Sequence, residues 1–224
     1  NLLKNSLQDE LDCFFKHHQN LEYDQRVVSK AAFCKARTNL SYSTFVELHE
    51  TLIDGFYRDA AYKKWKGFRL NAVDGSTLKL PNNSDVIEHF GQQTGKEVPQ
   101  SRVSSRYDVL NGITIELMVR SIHADERKMA QEHLNKTTSD DLLIYDRGYP
   151  CFSMFSAHRT NGSQFLMRLP RKYSKETTAF ESSDLIENTI TLAPNRPETK
   201  RRCIDSGVST EPLNIRLIKI DLPD

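Results

Sequence analysis

The sequence is poor in the features that would assign it quickly. Its four cysteines, Cys13, Cys34, Cys151 and Cys203, are scattered and form no CxxC pair, which excludes a zinc knuckle or a disulfide framework and fits a reducing compartment. No apolar run approaches the roughly 20 residues that a membrane-crossing helix needs, and the opening Asn1-Leu2-Leu3-Lys4-Asn5-Ser6 carries no signal-peptide core. Internal repeats and low-complexity tracts are absent. There is no excess of charge: 31 Lys and Arg stand against 30 Asp and Glu, a formal +1, so any nucleic-acid contact must rest on local basic clusters. Gly91 belongs to no phosphate-cradling motif and Ser76 to no nucleophile elbow. What remains, at 38% hydrophobic and 27% charged residues over 224 positions, is an ordinary globular chain long enough to bury a core. The expected location is the cytoplasm, with no membrane association. Because the chain opens without Met and closes on Leu222-Pro223-Asp224 just past an alternating strand, it is expected to be a fragment.

Residues 1–66 read as helical, with apolar positions at helix spacing: Leu3, Leu7, Leu11 and Phe14, then Phe45, Leu48, Leu52, Ile53 and Phe56. Ser29 is expected to cap a short helix over Ala31 to Arg37, and Ser43 the next. From Gly67 the pattern changes to strands around Arg69 to Val73, Ser105 to Val109 and Ile113 to Ile122. A helix opened by Asp125 and Glu126 follows, running through Met129, Ala130, His133 and Leu134, with both acids read as favourable charges at its positive end. Next come a buried strand over Asp141 to Asp146 closed by Arg147-Gly148, a helix with Pro150 at its first position and Asn161-Gly162 at its end, and a strand over Gln164 to Leu169. This order predicts an α/β fold, a mixed sheet with helices on its faces, over residues 67–170. Residues 171–224 read as a polar, β-rich appended or inserted segment.

Two aspartates carry the chemical signal. Asp74 follows Leu70 to Val73 and precedes Gly75-Ser76-Thr77, and Asp146 follows Leu142 to Tyr145 and precedes Arg147-Gly148-Tyr149. Each is expected near a strand end, where catalytic groups of α/β sheets converge. Two such carboxylates suit Mg²⁺, which prefers hard oxygens and keeps water or substrate phosphate in its shell. Paired ions about 3.5–4 Å apart would serve phosphodiester chemistry. Taken singly, each aspartate is better explained as a turn or helix cap, and it is the pair of similar contexts that favours a shared site. The histidines show no ligand spacing. The basic clusters Arg168/Arg171/Lys172/Lys175 and Lys200/Arg201/Arg202 are either solvated faces or DNA contacts.

The ordered set Trp65-Lys66-Gly67-Phe68-Arg69-Leu70-Asn71-Ala72-Val73-Asp74-Gly75-Ser76-Thr77, Phe90-Gly91, Tyr107-Asp108-Val109-Leu110-Asn111, Asp125-Glu126-Arg127, Leu143 to Pro150 and Phe165 to Leu169 resembles insertion-sequence DDE transposases of the IS-four type. Ser29 to Arg37 is similar to that family's helical DNA-binding region. The resemblance implies a ribonuclease H-like core, two Mg²⁺ (or Mn²⁺) ions, and hydrolysis at transposon ends followed by strand transfer. It implies double-stranded DNA as partner, both transposon ends and target, and a homodimer in the DNA complex in a nucleoid-associated protein. Asp74 and Asp146 become the first two acids of the triad, and Lys30, Lys35, Arg37, Arg147, Arg168, Arg171 and Lys172 the expected DNA contacts. The family's third acid is a Glu in a Tyr-x-x-Arg-x-x-x-Glu-x-x-x-x-x-x-Lys pattern, and this sequence has no such pattern. Glu176, Glu181, Glu187, Glu198 and Glu211 stand in a different context. The chain alone is therefore expected to be catalytically weak. An inactive DNA-binding remnant and a ribonuclease H-like nuclease are the alternatives.

Overall fold

The computed structural model describes residues 5–220, in two compact units that divide between Ala60 and Ala61. The first holds three helices, α1 (Leu7–Gln19), α2 (Lys30–Arg37) and α3 (Tyr42–Asp59). Ser6 and Asp9 form a reciprocal capping box on α1, and Ser29 accepts from the Ala32 amide to cap α2 as expected. The cap of α3 is Ser41 rather than Ser43. Ser43 already lies inside the first turn, and its own amide is the donor to Ser41 Oγ. Gln8 ties α1 to the α2 entry, donating to Val28 O and accepting from Lys30 N. Leu3 lies outside the described residues.

The second unit contains β1 (Arg69–Lys79), α4 (Ser84–Phe90), β2 (Gln100–Asp108), β3 (Ile113–Ser121), α5 (Glu126–Glu132), β4 (Asp141–Tyr145), α6 (Phe152–Asn161) and β5 (Gln164–Met167). It continues through α7 (Lys175–Glu181), β6 (Glu187–Leu192), α8 (Pro197–Asp205) and β7 (Leu213–Ile218). The main sheet has the order β3-β2-β1-β4-β5. The first three strands are antiparallel, and β4 and β5 run parallel to β1. This is the mixed α/β sheet with flanking helices that the order of elements predicts. Strand β1 runs six residues further than its apolar stretch suggests, because β2 keeps pairing with it as far as Lys79 after β4 has ended opposite Val73.

Alternation along the strands gives the sheet one buried face. Asn71, Val73, Ser104, Arg106, Leu143 and Tyr145 are all buried, and α5 and α6 supply Ala130, Met154 and Ala157 to the same core. Pro150 does not open α6. Cys151 is its N-cap and Phe152 its first residue, whereas Gly162 ends it in the left-handed conformation as expected. Phe152 and Phe155 face a second core with Phe180, Ile190, Leu192, Cys203, Leu213 and Leu217. The segment after Pro170 is thus an antiparallel β6/β7 pair joined through α8 and preceded by α7. Because α6 carries apolar side chains to both cores, it is buried nearly all round, from Phe152 to His158.

His158 hydrogen-bonds to Tyr145 Oη (3.0 Å) and Ser163 Oγ (2.9 Å). Burial lowers its pKa to about 4, so it sits neutral in the core. The unfolded chain takes up this proton below its ordinary pKa of about 6.5, while the folded chain resists until about 4. The resulting stability is full above the unfolded value and disappears as pH falls through this window, a loss of about 3 kcal/mol. Urea melts at pH 7 and pH 4.5 are expected to show this loss, and a His158→Gln variant a shallower slope. An unchanged slope in the variant would assign the acid sensitivity elsewhere.

Candidate active site

In β1 and β4, Val73 pairs with Tyr145, and in β4 and β5, Tyr145 pairs with Met167. Asp74 is therefore the next residue of β1, and Asp146 and Arg168 are the first residues past the ends of its parallel neighbours β4 and β5. Asp74 lies within β1, not at its end. It sits one residue past the last β1/β4 pair, where β4 has ended. Both aspartates are exposed. Each has one oxygen engaged locally: Asp74 Oδ1 accepts from Gly75 N (2.9 Å) and Asp146 Oδ1 from Gly148 N (2.8 Å). Gly148 permits that fold-back, since a β-carbon there would lie 3.1 Å from Asp146 Oδ1. Among the described residues no group of three His, Cys, Asp or Glu is placed to hold a metal ion.

A cleft of about 570 Å³ borders Asp146. Its walls include Glu126, Arg127 and Lys128 from α5, Arg102 from β2, Tyr149, and Arg202 from α8. Asp125 caps α5, accepting from Arg127 N and Lys128 N, so the helix start is where the sequence puts it. What the sequence reading missed is where the next two side chains go. Glu126 accepts from Tyr149 Oη (2.9 Å) and Arg102 Nη1 (3.1 Å), and Arg127 donates through Nε and Nη2 to Gly148 O (3.0 and 2.8 Å). Their long-range partners have no signature at the sequence level. Burial, then the hydrogen bond to Glu126 and the negative charges of Glu126, Asp74 and Asp146, push the Tyr149 phenol far above its usual range. Tyr149 is therefore a donor at any physiological pH.

Beneath the sheet, Ser104 Oγ contacts His133 Nε2 (3.1 Å) and His133 Nδ1 contacts Glu116 Oε2 (2.7 Å). The order resembles a hydrolase triad, but Ser104 and His133 are completely buried, so no substrate reaches the hydroxyl. Burial raises the Glu116 pKa, but the bond and charge of His133, with Arg106 and Lys136, outweigh it and hold the carboxyl below its ordinary value. The network ties the turn after α5 to β2 and β3.

The expected DNA contacts Lys30, Lys35, Arg37, Arg147, Arg168, Arg171 and Lys172 are all exposed. Arg147 directly follows Asp146 and Arg168 directly follows β5, with Arg171 and Lys172 a few residues further on. Lys30, Lys35 and Arg37 lie on α2 of the other unit.

The model of the transposase DDE domain matches residues 43–209. The chain belongs to the transposase DDE domain family. No curated protein matches the sequence. Among solved structures, this DDE domain is similar to a chain of the simian T-cell lymphotropic virus intasome in complex with PP2A regulatory subunit B56 gamma, at 12% identity and a TM-score of 0.29, covering 66% of this chain and 50% of that one. It is also similar to the Mos1 pre-cleavage transpososome, at 8% identity and a TM-score of 0.32, covering 73% of this chain and 53% of that one. A third likeness is to the Mos1 transposase paired-end complex with left transposon end, at 10% identity and a TM-score of 0.32, covering 93% and 73%. The chain thus spans about half the length of the first two. No helix among the described residues is long and apolar enough to cross a membrane.

Proposed function

We propose that this DDE domain belongs to a DNA transposase that cleaves phosphodiester bonds at transposon ends and joins them to target DNA. Asp74 and Asp146 are its metal-holding carboxylates. The observation that supports the reading is the strand register: β1 and β4 pair in parallel as far as Val73 and Tyr145, and an exposed aspartate directly follows each of these, in a member of this family. Their chemistry fits Mg²⁺ or Mn²⁺: both are hard oxygen donors, each has one oxygen fixed by a backbone amide, and such ions are commonly held by one or two carboxylates plus substrate phosphate. When bound, a pair of ions supplies charge stabilisation to the attacking and leaving oxygens.

The chain's own residues set the geometry. The Gly75 and Gly148 amides orient the two carboxylates, and Arg147 and Arg168 offer cationic seats for the phosphates beside them. In this reading residues 67–170 form the catalytic core, residues 171–224 an insertion, and residues 1–66 with Lys30, Lys35 and Arg37 a further DNA contact. Double-stranded DNA is the partner, two copies bring two ends together, and the protein works in the cytoplasm at the nucleoid.

The test is a DNA fragment carrying the element's ends, incubated with the full-length protein in Mg²⁺ or Mn²⁺. Cleavage at the ends followed by joining is the expected result, with neither in the presence of EDTA. Cleavage without joining would replace this reading with a nuclease, and binding without cleavage would replace it with an inactive remnant.

A further inference from the structure

Resting on that reading of the two aspartates, we propose that Glu126 is a positioning residue that braces the strand carrying Asp74 against the turn carrying Asp146. One arm of the brace is steric. Gly75 follows Asp74, and a β-carbon built on it would lie 2.1 Å from Glu126 Oε1 and 2.6 Å from its Cδ. The carboxylate is thus laid against the β1 backbone, and glycine is what leaves the room. The other arm is a hydrogen bond: the same Oε1 accepts from the buried Tyr149 hydroxyl (2.9 Å), three residues after Asp146. Arg102, which pairs opposite Thr77 on β2, holds Oε2 at 3.1 Å and balances the charge. Next along the helix, Arg127 grips the same turn at Gly148 O. The first turn of α5, anchored by Asp125, therefore touches both aspartate-bearing segments at once.

Two simpler roles for Glu126 fit less well. As a third metal ligand it has both oxygens already engaged, Oε1 by Tyr149 and Oε2 by Arg102, and no three-acid group is placed to hold an ion among the described residues. As a mere first-turn acid it would need neither Tyr149 nor a side-chain-free Gly75.

Amide hydrogen exchange on this chain tests the brace without metal or DNA, read in peptides covering residues 73–78 and 145–150. Glu126→Ala is expected to speed exchange in both segments by about tenfold, as expected for loss of hydrogen bonds to a charged acceptor. Glu126→Gln, which keeps an acceptor for Tyr149, should restore most of the protection. Gly75→Ala provides a variant that does not touch Glu126 itself. Its methyl displaces the carboxylate, so exchange should rise at 145–150, on the other segment, and the Gly75→Ala/Glu126→Ala double variant should be no worse than Glu126→Ala alone. Unchanged exchange at 145–150 in both single variants, or simple additivity in the double, would overturn the brace. Mn²⁺ titrations of Asp74→Asn and Asp146→Asn separate the two claims: wild-type affinity there, with the exchange response intact, would sink the metal reading and leave the brace standing.

Discussion

Replacing either Asp74 or Asp146 with asparagine is expected to lower DNA-end cleavage and joining by the full-length protein by about a thousandfold or more, with little change in melting temperature. The combination follows from how the two carboxylates are held. Each spends Oδ1 on a backbone amide, Gly75 N or Gly148 N, and the asparagine carbonyl accepts the same bond. What asparagine removes is the negative charge, the property a hard divalent cation needs. The charges are exposed, so deleting one should shift stability by no more than about 0.5 kcal/mol, in the stabilising direction if the neighbouring carboxylates repel. The competing explanation, that each aspartate only closes its local turn, has a different signature. Asparagine would then be silent in every assay, and alanine would cost about 1 kcal/mol through the lost cap. Comparing Asn with Ala at both positions, by cleavage rate, Mn²⁺ affinity and melting, decides between them. Wild-type cleavage in Asp146→Asn would sink the metal role.

The parts of this arrangement that were legible in the sequence were those written in local spacing. Period-two strands and apolar runs announced β2, β3, β4 and β5, and Ser29, Asp125 and Gly162 marked helix ends through side-chain or backbone chemistry confined to a few residues. Where that chemistry was ambiguous, the boundaries slipped. Ser41 and Ser43 are both good caps and only one is used, and Pro150 precedes the N-cap rather than entering the helix. Helix α4, seven residues capped by Asn83 with no residue buried, is too short for its three apolar positions, Val86, Ile87 and Phe90, to establish a helical period. The extension of β1 to Lys79 depends on pairing with β2, which puts Gln100 opposite Lys79 and Arg102 opposite Thr77, and polar Ser76-Thr77 give no hint of it. The site divides in the same way. The aspartates stand after conspicuous apolar runs, whereas Glu126 reads as an ordinary first-turn acid until the fold brings Gly75, Arg102 and Tyr149 to it.

The largest stability effect is expected far from the aspartates, at the other end of the same two strands. Asp141 opens β4 and is completely buried. It accepts a bidentate pair from Arg69 (Nε and Nη2, both 2.7 Å), a bond from Asn71 Nδ2 (2.8 Å) and one from the Thr138 amide (2.8 Å). Arg69 and Asn71 belong to β1, and Arg69 pairs directly with Asp141 in the sheet. The ion pair therefore pins the register of β1 against β4 at its first rung. Register matters here because a slip of one residue exchanges the two faces of a strand, which would bury Asp146 and expose Tyr145. Removing one partner of a buried, hydrogen-bonded pair costs about 3–5 kcal/mol, because the other is left uncompensated. Arg69 keeps 17% of its side chain exposed, so its guanidinium retains some hydration and the lower end of that range is expected for Asp141→Ala in urea melts. The Arg69→Met/Asp141→Leu double variant should recover much of the loss, since apolar replacement of both partners leaves no stranded charge. If the double variant recovers stability but loses Mn²⁺ affinity, the pair's main contribution is alignment. If it recovers both, packing alone sets the register, and the distance between the two aspartates is a property of the sheet rather than of this salt bridge.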